Sequence, residues 1–281
     1  MGARRGTRKL GAVVAVAVLS MTVLSACSSS SSSSGTVLTV GTYKGVKGQF
    51  SSIQAAVSAA KSGDWVLVAP GDYKASADLT GTLTNVDHGG FGGVLITTSG
   101  VHLRGMSRAG VIVDGTKTGS PVCSSNPSDQ QFGAVQDGKA LGRNGIVVYK
   151  ANHVSVDNLT VCNFLGGSGK SGNQIWWNGG ADSDKIGLHG YEGSYLTATS
   201  TYYGGESTAA TYGIFSSDAA GEGAMWSHMY GSNMNDSGMY IGSCQQVCGV
   251  TVPVVWLLLK QFDGSLGLST SWPKSPLVGF P

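Results

Sequence analysis

The side chains that could act as acids or bases are scattered along this chain of 281 residues. Asp236 could form an acid–base pair with His228 or His189 if the chain folds into stacked coils that bring them together. In the alternative interpretation, Asp236 belongs to a turn and both histidines lie on the surface. These three residues are therefore weak catalytic candidates, and the sequence leaves open whether the protein is an enzyme.

Two carboxylates, Asp182 and Asp184, are close enough in sequence to share a cation. Carboxylate oxygens are the ligands that calcium prefers, so the pair is a weak candidate for a calcium site. Two carboxylates in a polar loop also occur as a solvated turn, and this alternative stays open. Apart from this calcium site, the sequence indicates no cofactor.

Aromatic residues give a different indication of function. Trp176 and Trp177 lie in a segment rich in Gly and Asn, and Tyr202 and Tyr203 lie in another polar segment. Flat aromatic rings stack on sugar faces while neighbouring amides bond the hydroxyls. These four residues are therefore candidates for carbohydrate binding, with Asn173, Gln174 and Asn178 as polar neighbours. In the alternative, the rings cap or fill the interior of the fold.

Four cysteines follow Cys27 and could form two disulfide bonds, whose pairing a sequence does not fix. We favour Cys244–Cys248 as a local staple and Cys123–Cys162 as a bond that fixes a long loop. The alternative for Cys244 and Cys248 is a copper or zinc site assisted by Met239 or His228. An exported C-x3-C without a second pair nearby is more often oxidised.

The elements that must position these side chains are clearest from Phe50 to Tyr73. Ser51 and Gln54 form an S-x-x-Q capping box, and apolar residues then recur at helical spacing, which predicts a helix from Ser52 to Ser62. The apolar run from Trp65 to Ala69 predicts a short strand that is buried on both faces.

Short repeats follow this segment, each a glycine that precedes an apolar strand: Gly93-Val-Leu-Ile96, Gly145-Ile-Val-Val148, Gly213-Ile-Phe-Ser216 and Gly238-Met-Tyr-Ile241. The spacings of 52, 68 and 25 residues predict two, three and one coils of a solenoid, lengthened by loops at 116–141 and 166–180. Within one repeat, Val154, Val156, Leu159 and Val161 are expected to point inward, with a bend at Asp157-Asn158. Stacked coils bury an apolar face that a single coil cannot.

Residues 50–73 match the pattern F-x-x-I-Q-x-A-V-x-x-A-x-x-G-D-x-V-x-V-x-P-G-x-Y. This segment resembles the opening of the right-handed parallel β-helix, or pectin-lyase-like, superfamily. The resemblance implies an all-β solenoid with a short N-terminal capping helix. Because that superfamily contains lyases, hydrolases, epimerases and binding proteins, it does not fix the chemistry. The superfamily's hydrolase motifs N-T-D, D-D, G-H-G and R-I-K are absent, so no catalytic residue is carried over.

The N-terminus predicts export and lipid anchoring. A basic segment and a short apolar segment lead to Leu24-Ser-Ala-Cys27, which resembles the lipobox of bacterial lipoproteins. The alternative is an ordinary secretory signal with an incidental thiol at Cys27. We predict a signal peptide at 1–26, a serine-rich tether at 27–35, the β-helix at 36–251 and an atypical tail at 252–281. The pattern stops abruptly after Thr251, which suggests a truncated or frame-shifted copy.

Composition limits the partners. Four of the 18 basic residues and none of the 16 acidic ones precede Cys27, so the remainder carries 14 basic and 16 acidic residues. Such a balance argues against nucleic acid. We therefore expect a monomeric, lipid-anchored bacterial cell-surface protein that binds or processes a polysaccharide along the solenoid. If it is an enzyme, we expect a polysaccharide lyase or glycoside hydrolase. The alternative is a non-catalytic envelope scaffold or adhesin-like spacer.

Overall fold

The computed structural model describes Gly2 and residues 35–74, 91–168, 171–180, 188–217, 224–241, 249–250, 258–262 and 265–269. All of these except Gly2 belong to one unit that begins at Ser34. The described part of the chain contains no helix with the length and apolar character that a bilayer crossing needs.

Short strands dominate the described residues. The helix α1 spans Ile53–Ala59, and a single 3₁₀ turn spans Pro127–Asp129. The strands are β1 (Val37–Val40), β2 (Thr42–Tyr43), β3 (Val46–Lys47), β4 (Trp65–Val68), β5 (Gly71–Lys74), β6 (Phe91–Ile96), β7 (His102–Gly105), β8 (Val111–Asp114), β9 (Val135–Gln136), β10 (Lys139–Ala140), β11 (Asn144–Tyr149), β12 (Ser155–Asp157), β13 (Thr160–Cys162), β14 (Ile175–Asn178), β15 (Glu192–Ser194), β16 (Thr197–Thr199), β17 (Tyr212–Ser217), β18 (Met225–Ser227), β19 (Tyr230–Ser232), β20 (Ser237–Ile241), β21 (Gly249–Val250), β22 (Leu258–Phe262) and β23 (Ser265–Ser269).

Most strands join three parallel sheets. Sheet 1 has the order β1-β4-β7-β12-β15-β18-β21, sheet 2 the order β5-β8-β13-β16-β19, and sheet 3 the order β6-β11-β14-β17-β20. Successive strands of the chain visit sheets 3, 1 and 2 in turn, and four complete coils result: coil I (β6–β8), coil II (β11–β13), coil III (β14–β16) and coil IV (β17–β19). The fold is therefore the right-handed parallel β-helix that the resemblance implied.

One continuous core fills the solenoid because the strands of the three parallel sheets turn alternate side chains inward. The four residues predicted to point inward, Val154, Val156, Leu159 and Val161, are fully buried. The predicted bend is also present. Asn158 has a φ of 55° between β12 and β13, and its side-chain amide donates to the carbonyl of Gly105 on the neighbouring coil at 2.8 Å.

The glycines near the start of the strands of sheet 3 allow adjacent coils to approach closely. A Cβ atom on Gly145 would lie 2.2 Å from the carbonyl oxygen of Gln174, and one on Gly213 would lie 2.3 Å from that of Gly238. Neither glycine has a positive φ, so the requirement is one of space and not of backbone conformation.

Counting coils from these glycines gave the wrong number. Gly93 and Gly145 begin paired strands of adjacent coils, because the long loop from 115 to 143 accounts for the spacing. Between Gly145 and Gly213 lies one further strand of sheet 3, β14, which Gln174 precedes instead of a glycine. The three intervals therefore correspond to one, two and one coils. The predicted loop at 166–180 also contains β14 and is not wholly a loop.

The helix α1 is shorter than predicted and begins differently. Ser52 is the N-cap, and its hydroxyl accepts from the amide of Ala55 at 3.1 Å. The capping box from Ser51 was therefore wrong. Gln54 instead bonds the backbone of Leu95 on β6, accepting from its N–H at 2.7 Å and donating to its carbonyl at 3.2 Å.

Most of the predicted tail lies outside the described residues. The part that is described forms an antiparallel hairpin of β22 and β23, and β23 lies beside β20.

Candidate functional site

The three acid–base candidates lie at three different corners of the coils. His189 precedes β15 at the corner from sheet 3 to sheet 1, and His228 lies between β18 and β19, where its ring stacks on Tyr195 at 4.3 Å. Asp236 lies between β19 and β20 and accepts from the hydroxyl of Tyr212 at 2.9 Å. The structure therefore does not bring Asp236 together with either histidine, because Asp236 lies at the corner from sheet 2 to sheet 3 and His228 at the corner from sheet 1 to sheet 2, while His189 lies at the third corner.

Trp176 and Trp177 do not form one sugar platform. They are consecutive residues of β14, so their side chains point to opposite faces of sheet 3. Trp177 points into the core and is fully buried, so its assignment to carbohydrate binding is wrong. Trp176 points outward, yet only 2% of it is exposed, because it packs with Val147 and stacks on Phe215.

The second aromatic pair lies in the loop that follows β16. Tyr202 contacts Phe132 edge-on at 6.2 Å, whereas Tyr203 is 65% exposed. The amides that were expected to serve a sugar, Asn173, Gln174 and Asn178, are all buried. The side-chain amide of Gln174 makes two hydrogen bonds to the backbone of Phe164. It accepts from the N–H at 3.0 Å and donates to the carbonyl at 2.7 Å. Of these residues, only Tyr203 offers a largely free surface.

Several predicted sites lie outside the described residues: Cys27, Asp182, Asp184, Cys244 and Cys248. The predicted bond between Cys123 and Cys162 is confirmed, with the two Cα atoms 5.8 Å apart. The ligand atoms of Asp114, Cys123 and Cys162 lie within 4.8 Å of one another. Both sulfurs belong to the disulfide bond, so this group is not a metal site.

A buried carboxylate anchors the long loop from 115 to 143. Asp114 is fully buried and accepts from Lys74 Nζ at 2.5 Å and from the amide of Cys123 at 2.6 Å. The amide and the hydroxyl of Thr116 donate to it at 2.8 Å each. Nearby, burial lowers the pKa of Arg143 to about 10, and the charge of Asp114 partly opposes that shift. Because these partners already satisfy the carboxylate, the cluster is structural.

The outer face of sheet 3 carries aromatic side chains. In register along the solenoid axis lie Leu95, Val147, Trp176, Phe215 and Tyr240. Tyr212 stacks on Phe215 at 4.5 Å and contacts Tyr240 at 5.3 Å, and Phe215 contacts Tyr240 at 5.5 Å. We call Trp176, Tyr212, Phe215 and Tyr240 the aromatic patch.

The strands that carry the aromatic patch are uncharged, although the carboxylate of Asp236 lies beside the patch and accepts from the hydroxyl of Tyr212. The sequences of the five strands of sheet 3 contain no Asp, Glu, Lys, Arg or His. Burial, followed by the bond to Asp236, raises the pKa of Tyr212 well above its usual value. Its hydroxyl therefore stays protonated and remains a donor. Tyr212, Phe215 and Tyr240 are each partly exposed, so the patch offers apolar ring surface to a ligand.

The outer face of sheet 1 carries polar side chains at the middle of one row. His102 Nδ1 lies 2.9 Å from Ser155 Oγ, and the ring of Trp65 stacks on the imidazole at 4.6 Å. Glu192 continues the same row on the next strand. We call Trp65, His102, Ser155 and Glu192 the polar row.

Sequence reasoning did not single out His102 or Ser155. Alternation along His102-Leu-Arg104 and along Ser155-Val-Asp157 would have placed these side chains outward. The register that pairs His102 with Ser155 depends on the long loop between the two strands and has no local signal.

Comparisons with known proteins add little beyond this geometry. No protein-family model matches the sequence, and no curated protein matches it. Three solved structures are similar. They are PemA, a pectin methylesterase from Erwinia chrysanthemi, at 14% identity and a TM-score of 0.36, and two pectin methylesterase complexes with hexasaccharides, one of them of a mutant enzyme, at 15% identity and a TM-score of 0.35. The matches cover 68 or 69% of this chain and 48% of each solved chain, so this chain spans about half the length of the proteins that it matches.

Proposed function

We propose that this protein binds a polysaccharide along the outer face of sheet 3, with the partly exposed rings of the aromatic patch, Tyr212, Phe215 and Tyr240, as the main contact surface. The observation that supports this proposal is the row of aromatic rings in register across adjacent coils, in which Trp176 stacks on Phe215 and Phe215 contacts Tyr240 at 5.5 Å. Adjacent strands lie about 4.8 Å apart, so the patch runs along the solenoid axis and suits a polymer better than a single sugar. Rings in this position bury the apolar C–H faces of sugars.

The charge of the face favours one class of polysaccharide. A polyanionic chain such as a polyuronate needs cations to balance its carboxylates, and the strands of sheet 3 supply none. Tyr240 presents a phenol next to the apolar rings, whereas the Tyr212 hydroxyl already donates its proton to Asp236 and can only accept from a sugar. We therefore expect an uncharged polysaccharide to bind more tightly than an acidic one.

The test is a glycan array followed by affinity gel electrophoresis with the soluble domain. Replacing both Phe215 and Tyr240 with Ala should abolish the retardation by the best glycan. Tyr230→Ala is the matched control, because Tyr230 is 49% exposed on the outer face of sheet 2. Unchanged retardation in the folded double variant would refute the aromatic patch as the site. Absence of binding to every glycan would favour the alternative of a non-catalytic scaffold or spacer.

A second candidate function is hydrolysis of an ester on a polysaccharide at the polar row. The hydrogen bond between His102 and Ser155 favours it, because an imidazole at this distance can take the hydroxyl proton. Ser155 Oγ would attack the ester carbonyl, His102 would pass the proton to the departing alcohol, and water would then release the acid. Ser155 is only 3% exposed, so a substrate would reach it only after neighbouring side chains move. For that reason we rank this candidate second.

Release of acetate or methanol from esterified glycans tests the second candidate. His102→Asn should abolish the release, whereas His228→Asn, at another corner of the coil, should leave it unchanged. If the wild-type protein releases neither product from a panel of esterified glycans, the polar row is not a hydrolase site.

We further propose that the protein is anchored to the outside of a bacterial membrane through a lipid on Cys27. The support is the lipobox-like Leu24-Ser-Ala-Cys27 and the serine-rich stretch that follows it. In this arrangement the tether at 27–35 would hold a monomeric β-helix at the cell surface. Cys27→Ser should release the protein from the membrane fraction. If the variant stays in that fraction at the wild-type level, the lipid is not the anchor.

A further inference from the structure

A group of unpaired polar atoms lies inside the solenoid at coils III and IV. The indole N–H groups of Trp177 and Trp226 and the hydroxyls of Tyr191 and Ser216 have no hydrogen-bond partner among the described residues. All four residues are 0 to 1% exposed. Buried polar groups in native proteins nearly always have a partner, which is either protein or ordered water, so these four require an explanation.

The four side chains adjoin one another. Trp177 and Ser216 face each other in register on adjacent strands of sheet 3. The ring of Tyr191 lies 6.0 Å from that of Trp177 and 5.3 Å from that of Trp226, and the two indole rings are 6.4 Å apart. We call this group the interior polar cluster.

Tyr191 and Ser216 are also close at their polar ends. Burial raises the pKa of Tyr191 to about 12, and an interaction with the hydroxyl of Ser216, longer than a normal hydrogen bond, offsets part of that rise. The phenol therefore stays protonated at any physiological pH. Tyr191 and Ser216 then each offer one donor and acceptor lone pairs toward the same region of the interior.

The hydrogen-bonding capacity of the cluster fits water. An indole N–H only donates, whereas a hydroxyl can also accept. Two N–H donors and two hydroxyl acceptors are complementary to the two lone pairs and two hydrogens of water. The hydroxyls of Tyr191 and Ser216 could bond each other. In that arrangement both indole N–H groups would still need an acceptor, and only the same two hydroxyl oxygens could serve. A neutral ligand with both donors and acceptors serves all four groups.

We propose that the interior polar cluster is a binding site for one or two long-lived water molecules inside the β-helix. The site would join coil III to coil IV, because Trp177 and Tyr191 come from the first coil and Ser216 and Trp226 from the second. It lies directly behind the aromatic patch, since Trp176 and Phe215 are the outward neighbours of Trp177 and Ser216. The proposal does not depend on polysaccharide binding.

Nuclear magnetic resonance on the full chain with ¹⁵N-labelled tryptophan tests it. The indole N–H signals of Trp177 and Trp226 should show cross-peaks to the water resonance, with opposite signs in laboratory-frame and rotating-frame experiments, as a long-lived bound water requires. Assignment comes from Trp177→Phe and Trp226→Phe. Trp176 is the internal control, because its indole donates to Ser217 Oγ at 3.0 Å and should show no such peak.

A variant gives a second readout. If water completes the cluster, Ser216→Ala removes one of its acceptors and should weaken the water cross-peaks and lower the Tm. If the hydroxyl is an orphaned buried group, the same change should leave the Tm unchanged or raise it. Absence of water cross-peaks at both wild-type indoles, or a Ser216→Ala variant at least as stable as wild type, would overturn the proposal.

Discussion

Asp114→Asn is the sharpest test of what holds the long loop on the solenoid. The carboxylate is fully buried and accepts four hydrogen bonds, one of them from the ammonium group of Lys74. The Asn amide keeps one acceptor oxygen. Its N–H₂ group only donates, so it cannot accept from the donors that faced the second carboxylate oxygen. It also leaves Lys74, whose side chain is 11% exposed, without its buried counter-charge.

Removal of one partner of a buried ion pair costs about 3–5 kcal/mol. For a domain of this size, each kcal/mol lowers the Tm by roughly 2–4 °C, so the Tm should fall by about 6–20 °C. Urea unfolding measures the loss of free energy of unfolding, and thermal unfolding measures the Tm. Both are done without reductant, because the bond between Cys123 and Cys162 then stays intact.

Asp72→Asn is the matched control. Asp72 also contacts Lys74, at 3.1 Å, but its side chain is 23% exposed, and desolvation raises its pKa despite the contact with Lys74. The charge on Asp72 is therefore not favoured in the folded state, and its removal should cost no more than about 1 kcal/mol. Equal losses in the two variants would show that the Asp114 carboxylate does not anchor the loop.

Three further predictions concern the scaffold. Gln54→Ala removes two hydrogen bonds to Leu95 and should cost about 1–3 kcal/mol. Amide exchange at Leu95 should accelerate, and an unchanged rate would contradict the role of Gln54. Replacing Cys123 and Cys162 together with Ser should cost about 4 kcal/mol for a loop of 39 residues, and a loss below 1 kcal/mol would argue against the bond as a stabiliser. Hydrogen bonds from the amides of Lys61 and Thr36 lower the pKa of Asp64, so its contribution to stability is complete above the unfolded pKa near 3.8 and is lost as the pH falls through the lower folded value. Asp64→Asn should flatten the pH dependence of the Tm in this acidic range, and an unchanged profile would refute it.

The sequence predicts the solenoid well because its requirements are local. Inward alternation from Val154 to Val161 and the glycines near the start of the strands of sheet 3 are direct consequences of packing one coil on the next. The pairing of Cys123 with Cys162 was also correct. The number of coils was wrong because a loop of almost 30 residues has the same length as a coil, and nothing local distinguishes the two.

The candidate site was harder to predict because it depends on register. The sequence predicts Trp176 and Trp177 to be one exposed pair, but a strand places consecutive side chains on opposite faces. The row that contains Phe215 and Tyr240 forms only when three coils are aligned. His102 and Ser155, 53 residues apart in the chain, meet for the same reason. Neither the row of rings nor the contact between His102 and Ser155 produces a sequence pattern within a single repeat.

The bond between Gln54 and Leu95 has a consequence for self-association. The first strand of a parallel sheet presents a row of unpaired N–H and C=O groups, which can template a strand from another molecule. Gln54 occupies both groups of Leu95 with one side-chain amide, as a neighbouring strand would. The helix α1 therefore covers the edge strand at this end of sheet 3 and opposes end-to-end growth of solenoids into fibres.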